Sequence, residues 1–512
     1  MTTIGASRAG RREWSGLAVL TLPTLLASLE LTIPNLALPS ISRDFPLTSA
    51  QSLWIVDSYG FLLAGSLITM GTLGDRIGRR RLLMIGSALF GVASVLAAYS
   101  TDAEMLIATR ALLGIAGATL MPASLSLAAS LFRDPRQRTV AISIVIAGVA
   151  GGTAIGPLIG GWILQHFWWG AVFLIAAPVT VLILVLGPLL LPEHRGDGRG
   201  RMDVASAVLS LAAVLAVIYG LKHAAGSGLD AVSIGFVVAG LLAGAWFVRR
   251  QRRDDPLIDL RLFRSASFSV SLGTLLFGVF VLFGVNFFLA QYLQLVFGLS
   301  PLHAGLWTAP SACGVIVGST LAPLIVRRVR HGFVVGAGLL LSAAGLAVLT
   351  LVAPGSGLPL LVIGSVAVSL GLGPMLTVTT DLVVGSAPPE RAGEASALSE
   401  TAPELGGALG IAILGSVGAA VYRGQVVGTV PAGLPEGTAR AAEETLGGAV
   451  SAAERAPGPV GDQLLSTARA AFTDGLQLIS VISIVVLVAT AVLVTVTLRH
   501  IRPPDEPGAV GR

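Results

Sequence analysis

Long runs of apolar residues separated by short polar connections dominate the chain, and fourteen such runs can be distinguished. They approach or exceed the length of about 17–25 residues that a helix needs to cross the hydrocarbon core of a bilayer. Several contain Gly or Pro, which membrane helices tolerate when neighbouring helices satisfy the freed backbone groups. The pattern therefore predicts fourteen membrane-spanning helices. They cover residues 16–38, 51–71, 82–100, 105–131, 139–163, 168–191, 203–221, 231–248, 268–296, 304–326, 333–353, 359–385, 397–422 and 475–498.

The composition supports this fold class. Of the 512 residues, 54% are hydrophobic and 12% are charged, and the mean hydropathy is +0.83. Soluble domains carry about 25% charged residues, so the deficit indicates that membrane lipid surrounds most of the chain. The sequence therefore predicts an all-α, polytopic membrane protein. The single cysteine, Cys313, lies in an apolar run, and we expect it to be a small packing residue.

The basic residues predict the orientation of the helices. Alternate connections hold 26 of the 33 Lys and Arg residues, and the positive-inside rule makes these connections cytoplasmic. Both termini then lie in the cytoplasm and the protein lies in the cell membrane. Basic residues confined to short connections do not form a phosphate-binding face, so the net charge of +5 indicates no nucleic-acid partner. The basic connections are the N-terminus, 72–81, 133–138, 193–201, 249–264, 327–331, the turn at Arg391 and the tail from Arg499.

One segment, residues 423–474, is long enough to form structure outside the membrane, on the side opposite the basic connections. Its Ala- and Glu-rich stretches predict short helices on either side of a break at Pro457 and Pro459. Two interpretations stay open: the segment caps the mouth of the molecule, or it is a passive linker.

Two acids lie inside the first two runs. Glu30 is about half-way through the first, and Asp57 lies about 10 Å from the start of the second at a rise of 1.5 Å per residue. A carboxylate at mid-membrane depth costs roughly 2.5–3.5 kcal/mol on insertion scales, so one that is present usually faces a water-filled path or a partner. The alternative is a carboxylate that reaches out to the membrane interface.

A second pair of acids, Glu400 and Glu404, lies in the thirteenth run. Their spacing of four residues puts both on one helical face, although Pro403 between them should bend the helix. Two like charges at this spacing repel, and a carboxylate that gains and loses a proton near neutral pH is what a proton-coupled cycle needs. The alternative is that this stretch still belongs to the preceding cytoplasmic loop.

Arg110, in the fourth run, is a further candidate. A guanidinium stays charged at physiological pH, so Arg110 must be paired or hydrated. It either tunes a nearby carboxylate or lies in an interface. Asp381, near the cytoplasmic end of the twelfth run, is equally compatible with a functional role and with none.

The fifth run carries a stripe of small residues in GGTAIGPLIGG (151–161). Such spacing lets two helices approach closely, and a proline in the stripe bends the helix. Plain helix packing is one interpretation, but the density of glycines favours a hinge between alternating conformations. The hinge candidates are Gly152, Gly156, Pro157, Gly160 and Gly161.

Motifs of the main enzyme classes are missing from the chain. There is no H-E-x-x-H, G-x-S-x-G or P-loop sequence, and the six histidines lack metal-ligand spacing. The sequence therefore argues against an enzyme, a metal site and direct ATP drive. We expect no cofactor, and the proton gradient as the energy source.

Several motifs resemble one family. GTLGDRIGRRR (71–81) resembles the loop signature of the major facilitator superfamily between its second and third helices. LIATRALLGIAGA (106–118) resembles its fourth-helix arginine motif, and GGTAIGPLIGG its fifth-helix antiporter signature. ELTIPNLALP (30–39) and WIVDSYGF (54–61) resemble the fourteen-helix drug:proton antiporters, specifically the branch that exports quaternary ammonium compounds.

This resemblance implies two six-helix bundles, residues 1–200 and 251–512, with two additional membrane helices in 201–250. Carried over by position, Asp57 matches the family's second-helix acid and Glu30 stands where the first helix usually has Asp. Glu400 and Glu404 match thirteenth-helix acids. The cytoplasmic gate would comprise Gly71, Gly74, Asp75, Arg76, Gly78, Arg79 and Arg80.

The resemblance also implies export of lipophilic cations against inward proton flow. Some relatives carry a tenth-helix Asp tied to divalent substrates, and residues 309–319 contain no acid, which favours monovalent ones. In alternating access by a monomer, a carboxylate and aromatic rings would hold the cation until protonation releases it, with cation–π contacts of about 2 kcal/mol. An exporter of a physiological solute, such as an amino acid, a lipid or a self-made antibiotic, would share the fold. The aromatic candidates are Trp54, Tyr59, Phe288, Tyr292 and Trp307.

Overall fold

The structure is a computed structural model, and its regular elements are all helical. Within the described residues there is no β-strand, which confirms the predicted all-α class. Eleven of the described helices are long and apolar enough to cross a membrane. The described residues are 9–132, 134–193, 204–227, 230–252, 260–353, 355, 357–386, 392–430, 436–456 and 458–499.

Each of the fourteen predicted runs coincides with helical structure. The sixth run contains two consecutive helices, and the helix of the fourteenth run begins earlier than predicted. The total of fourteen spans stays a prediction. The helices are α1 (Arg11–Asp44), α2 (Ser49–Ile77), α3 (Arg79–Ala98), α4 (Ala103–Leu131), α5 (Pro135–His166), α6 (Ala171–Leu174), α7 (Ala176–Leu190), α8 (Val204–Ser227), α9 (Ala231–Arg250), α10 (Ala266–Gln291), α11 (Pro301–Val326), α12 (His331–Leu349), α13 (Leu358–Gly385), α14 (Ala392–Val426), α15 (Glu436–Glu444), α16 (Leu446–Ala453) and α17 (Pro459–Leu498).

The segment 423–474 differs from its prediction in one half. Two short helices, α15 and α16, form a hairpin, in which the Thr445 hydroxyl accepts a hydrogen bond from the Gly448 N–H and caps α16. The second predicted short helix is wrong as a separate element, because α17 begins at Pro459 and continues without interruption into the last apolar run. A proline in the first turn costs the helix no hydrogen bond, since that N–H has no intrahelical acceptor.

The first compact unit comprises Met1–Ala37 and Trp54–Leu211. In it, α3 packs against α4 and α7, and α4 packs against α5. The Ala9 N–H donates to Gln137 Oε1 at 3.0 Å, and the Arg80 guanidinium donates to the Leu191 carbonyl at 3.0 Å. The N-terminus and the start of α5 therefore meet, as do the start of α3 and the end of α7. These contacts agree with the predicted charge alternation, while the side of the membrane stays a prediction.

The second unit comprises Leu38–Leu53 and Ala212–Arg512. In it, α11 and α12 pack against α13, α10 packs against α14, and both α12 and α14 pack against α17. The α15–α16 hairpin lies on the ends of these helices. The Ser49 N–H donates to Glu444 Oε2 at 3.0 Å, and the Tyr422 hydroxyl donates to the Ala442 carbonyl at 2.9 Å. The hairpin is therefore held by the start of α2 and by α14, while the choice between a cap and a passive linker stays a prediction.

The two additional helices predicted between the bundles, α8 and α9, pack on each other. A Cβ on Gly240 of α9 would lie 2.7 Å from the Ala213 carbonyl of α8, so the two backbones are in contact. Asp230 caps α9, and hydrogen bonds from the Ser233 hydroxyl and N–H lower the pKa of Asp230 to about 2. This cap therefore keeps its charge at physiological pH. The division into three parts at 200 and 250 stays a prediction.

Candidate transport site

Two of the predicted charged residues meet inside the first unit. Arg110 on α4 is fully buried, and Glu30 on α1 is 7% exposed. Arg110 Nη1 lies 2.5 Å from Glu30 Oε2, and Arg110 Nη2 donates to the Glu30 carbonyl at 3.1 Å. Glu30 therefore does not reach out to the membrane interface, and Arg110 is paired.

Arg110 also binds the backbone of α2. Its Nε donates to the Ile55 carbonyl at 2.9 Å, and its Nη2 donates to the Val56 carbonyl at 3.2 Å. The guanidinium carbon lies 4.9 Å from the centre of the Tyr59 ring. A buried ion pair is tolerated only when further hydrogen bonds satisfy its remaining polar atoms. Arginine provides a planar fork of five donors for this purpose, and here the fork joins α1, α2 and α4.

Asp57 completes this charge cluster, which we define as Glu30, Asp57 and Arg110. Asp57 follows the two carbonyls that Arg110 binds, is 1% exposed, and interacts electrostatically with Arg110. Glu30 is thus ion-paired with the guanidinium, and Asp57 interacts with the same guanidinium electrostatically. With both acids ionised the cluster has a formal charge of −1, and adding one proton makes it neutral.

A small cavity borders the charge cluster. It encloses about 260 Å³, counting its opening, and Glu30 is the only charged residue among those that line it. The other lining residues come from α1, α6 and α7 and the residue between those last two. Glu30 is thus the member of the cluster that borders this cavity. The lining residues other than Glu30 are Leu26, Leu29, Ile33, Pro34, Val172, Phe173, Ile175 and Ala176.

The five aromatic candidates have different surroundings. Tyr59 and Tyr292 are fully buried, and their hydroxyls bond to the Ala27 carbonyl and the Thr473 hydroxyl respectively. Both are therefore held in the packing of their own units. Trp54 lies against Phe61 on α2, Trp307 is 40% exposed on α11, and Phe288 lines a cavity of the second unit.

The remaining acids lie on two helices of the second unit. Glu400 and Glu404 are both half-buried on α14, which continues through Pro403, so the alternative that they belong to the preceding loop is wrong. Asp381 is exposed on α13 and interacts electrostatically with His331. Cys313 is exposed on α11, so its predicted packing role is wrong.

One predicted gate residue, Gly78, is the single residue between α2 and α3. Gly78 has a φ of 105°, in the region that favours glycine, and α3 begins directly after it. Glu193, which sequence reasoning missed, lies beside Gly78: its Oε2 is 3.6 Å from Arg80 Nε and 3.8 Å from Arg81 Nε. A lone acid among the arginines of a loop carries no sequence signal for this role.

The other gate candidates give less information. Gly71 and Gly74 lie in the last turns of α2, and Arg76 is exposed on the same helix. Arg79 opens α3, with its side chain next to Gly74. The side chain of Asp75 lies outside the described residues.

The glycine stripe of α5 packs directly against α1. A Cβ on Gly152 would lie 2.7 Å from the Leu25 carbonyl, and a Cβ on Gly156 would lie 2.3 Å from Thr32 Oγ1. The predicted close approach of two helices is confirmed, and its partner is the helix that carries Glu30. A hinge role stays a prediction. The other members of the stripe, Pro157, Gly160 and Gly161, lie on the same continuous helix.

This packing gives a testable prediction with a matched control. Gly152→Ala should destabilise the first unit, because the new methyl group meets backbone that cannot move aside, and overpacking costs about 1–3 kcal/mol. Gly151→Ala should be neutral or stabilising, since its Cβ has nothing within 4 Å. Thermal unfolding of the purified proteins in detergent compares the two. Equal midpoints would refute the tight contact.

A charge cluster buried among apolar helices is typical of membrane transport proteins, where such groups mark pathways for substrates and protons. The chain belongs to the Major Facilitator Superfamily, whose family model matches residues 20–411. It is a multi-pass membrane protein of a transporter family.

Two curated relatives and one solved structure show the range of similarity. The chain is 42% identical over 499 residues to the multidrug efflux pump LfrA of Mycolicibacterium smegmatis, covering 97% of this chain and 99% of the relative. It is 34% identical over 496 residues to the tetracenomycin C resistance and export protein of Streptomyces glaucescens, covering 95% and 92%. A bacterial homolog to the human lysosomal transporter Spinster, in an inward-facing conformation, has the same fold, with a TM-score of 0.68, 20% identity, and coverage of 96% and 98%.

Proposed function

We propose that this protein is a proton-coupled antiporter that exports lipophilic, mainly monovalent organic cations, such as quaternary ammonium compounds and dyes, by alternating access. It works as a monomer in the cell membrane, with fourteen spans, both termini in the cytoplasm, and the proton gradient as its energy source. The observation that carries the proposal is the charge cluster of Glu30, Asp57 and Arg110 inside the first unit.

The chemistry of the cluster explains the exchange. Arg110 compensates one of the two carboxylates, so one negative charge is left over among apolar helices. A hydrophobic cation satisfies that charge in the inward-open state, and a proton from the outer side satisfies it in the outward-open state. Because one buried charge cannot hold both, proton entry drives cation release. Export of drugs is the activity named for the 42% identical relative, which supports this substrate class.

The direct test is proton release from the purified protein in weakly buffered detergent solution. Adding tetraphenylphosphonium to the wild type should release protons, because the cation and the proton compete for the same carboxylates. Glu400→Gln and Glu404→Gln, measured singly, show whether the second unit contributes to this release. If both variants still release protons like the wild type, Glu400 and Glu404 do not take part in coupling. If the wild type releases no protons, proton antiport itself is contradicted.

A second candidate function is the export of an antibiotic that the producing cell makes. The similarity to the relative named for tetracenomycin C resistance and export supports this second candidate. The fold and the charge cluster serve both functions equally, so substrate preference decides. Competition of ethidium efflux by a panel of neutral polyketides and organic cations separates them: inhibition by the cations alone supports the first proposal.

A further inference from the structure

A second cavity lies beneath the α15–α16 hairpin. Its walls come from the end of α1, the start of α2, α10 and the turn after it, α14, α17 and the hairpin, and all of the lining residues belong to the second unit. The empty space in the cavity, counting its open mouth and the solvent there, is about 500 Å³. It shares no residue with the charge cluster. The side chains that define its chemistry are Phe287, Phe288, Tyr422, Glu444 and Phe472.

Four of the side chains that line the cavity are aromatic. The Phe288 ring centre lies 5.2 Å from that of Phe472 and 5.5 Å from that of Phe287. The hydroxyl of Tyr422 is held by the Ala442 carbonyl of the hairpin, which fixes the orientation of its ring. Aromatic faces carry a negative quadrupole and attract organic cations that are removed from water. The chemistry of the cavity therefore suits a lipophilic cation.

Glu444 adds a fixed negative charge to this aromatic surface. Its side chain is 13% exposed, its Oε2 accepts from the Ser49 N–H at 3.0 Å, and its backbone carbonyl accepts from the Ser49 hydroxyl. Its other oxygen lies 3.2 Å from Nε of Arg440, whose side chain is 73% exposed. Exposed ion pairs between residues four apart on a helix are weak. A cation in the cavity can therefore replace Arg440 as the partner of Glu444.

The helix that carries Phe288 is irregular at this point. After Gln291, α10 passes into a π-helical turn, Tyr292–Val296, and such turns occur frequently at functional sites. Leu295 of this turn lines the cavity, and its carbonyl accepts a hydrogen bond from Arg469 of α17 at 3.0 Å. The wall of the cavity therefore includes part of a π-helical turn, a feature that is frequent at functional sites.

We propose that the cavity beneath the hairpin is a binding site for a lipophilic monovalent organic cation, with the four aromatic rings as its walls and Glu444 as its counter-ion. This inference rests on the substrate class of the proposed function and adds a second site to it. The bonds of Ser49 to Glu444 connect the occupied site to the start of α2. The hairpin is then a binding element and more than a passive linker.

Site-directed labelling in the full-length protein tests the site directly. In a Cys313→Ser background, which removes the only native thiol, Ala419→Cys places a thiol in the cavity wall. Tetraphenylphosphonium should slow the reaction of this thiol with N-ethylmaleimide in detergent. Ala420→Cys is the matched control, because Ala420 is exposed and outside the lining, and its rate should not change.

Further variants identify the chemistry. Glu444→Gln and Phe472→Leu should each weaken the protection about two- to thirty-fold, the range expected for loss of one cation contact. Glu443→Gln should leave it unchanged, since this neighbouring acid does not line the cavity. Triphenylphosphine oxide, which is neutral and carries three of the same rings, should not protect. Equal protection by the neutral compound, or undiminished protection in Glu444→Gln, would overturn the proposal.

The two proposals can fail separately. If the wild type exports tetraphenylphosphonium from everted vesicles but the Ala419→Cys thiol is never protected, the site beneath the hairpin is refuted and the exporter is not. If the thiol is protected in the expected pattern but no lipophilic cation is transported, the exporter is refuted and the binding site stands.

Discussion

Arg110→Met should lower the thermal unfolding midpoint of the protein strongly and abolish transport. The guanidinium is fully buried and donates to Glu30 and to two carbonyls of α2. Removing one partner of a buried ion pair costs about 3–5 kcal/mol, because the other charge is left uncompensated. Thermal unfolding in detergent and ethidium efflux from everted vesicles measure the two effects.

A double variant controls for this interpretation. Glu30→Gln combined with Arg110→Met removes both charges, so it should recover part of the lost stability while transport stays absent. Non-additivity of this kind is the signature of a direct interaction. If the double variant is as unstable as the two single variants added together, the stability of the first unit does not depend on this ion pair.

Asp57→Asn should keep the fold and lose the coupling. The amide has nearly the same shape as the carboxylate, and the pair of Glu30 with Arg110 remains, so the unfolding midpoint should change little. The cluster, however, becomes neutral without a proton, so the proton gradient no longer acts through it. Ethidium efflux from everted vesicles should fall tenfold or more, the factor that about 1.4 kcal/mol in binding free energy represents.

The pH dependence gives the sharper readout. In the wild type, efflux should rise with the size of the imposed proton gradient, and in Asp57→Asn the remaining efflux should be independent of it. Asp462→Asn is the matched control, because Asp462 is exposed in the first turn of α17. Wild-type rate and wild-type pH dependence in Asp57→Asn would show that this acid does not take part in coupling.

The charge cluster shows how much of a site can be predicted from the sequence. Arg110, Glu30 and Asp57 each stood out, because an ionisable group in an apolar run is expensive and therefore rare. Their pairing was not visible. Glu30 and Arg110 are 80 residues apart, and their helices are apolar on nearly every side, so the hydrophobic pattern does not indicate which faces meet.

The aromatic residues and Glu444 show the reverse case. Tyr59 and Tyr292 looked like ligand-binding rings, but both hydroxyls bond within the packing of their own units. Glu444 lies in a polar segment where acids are common, so the sequence pattern did not identify it as a candidate site residue. Its importance comes from Ser49, to which it bonds across a long stretch of chain.

The sequence by itself determined the helical class, the apolar runs, the grouping of basic connections and the presence of acids among the helices. These features follow from hydropathy and charge, which act locally along the chain and decide whether a segment enters lipid. Only the tertiary structure decided that Arg110 joins Glu30 to α2, that α5 packs its glycines on α1, and that the hairpin covers an aromatic cavity. Those contacts depend on which faces of the helices meet, and in apolar helices that choice is made by close packing between distant segments.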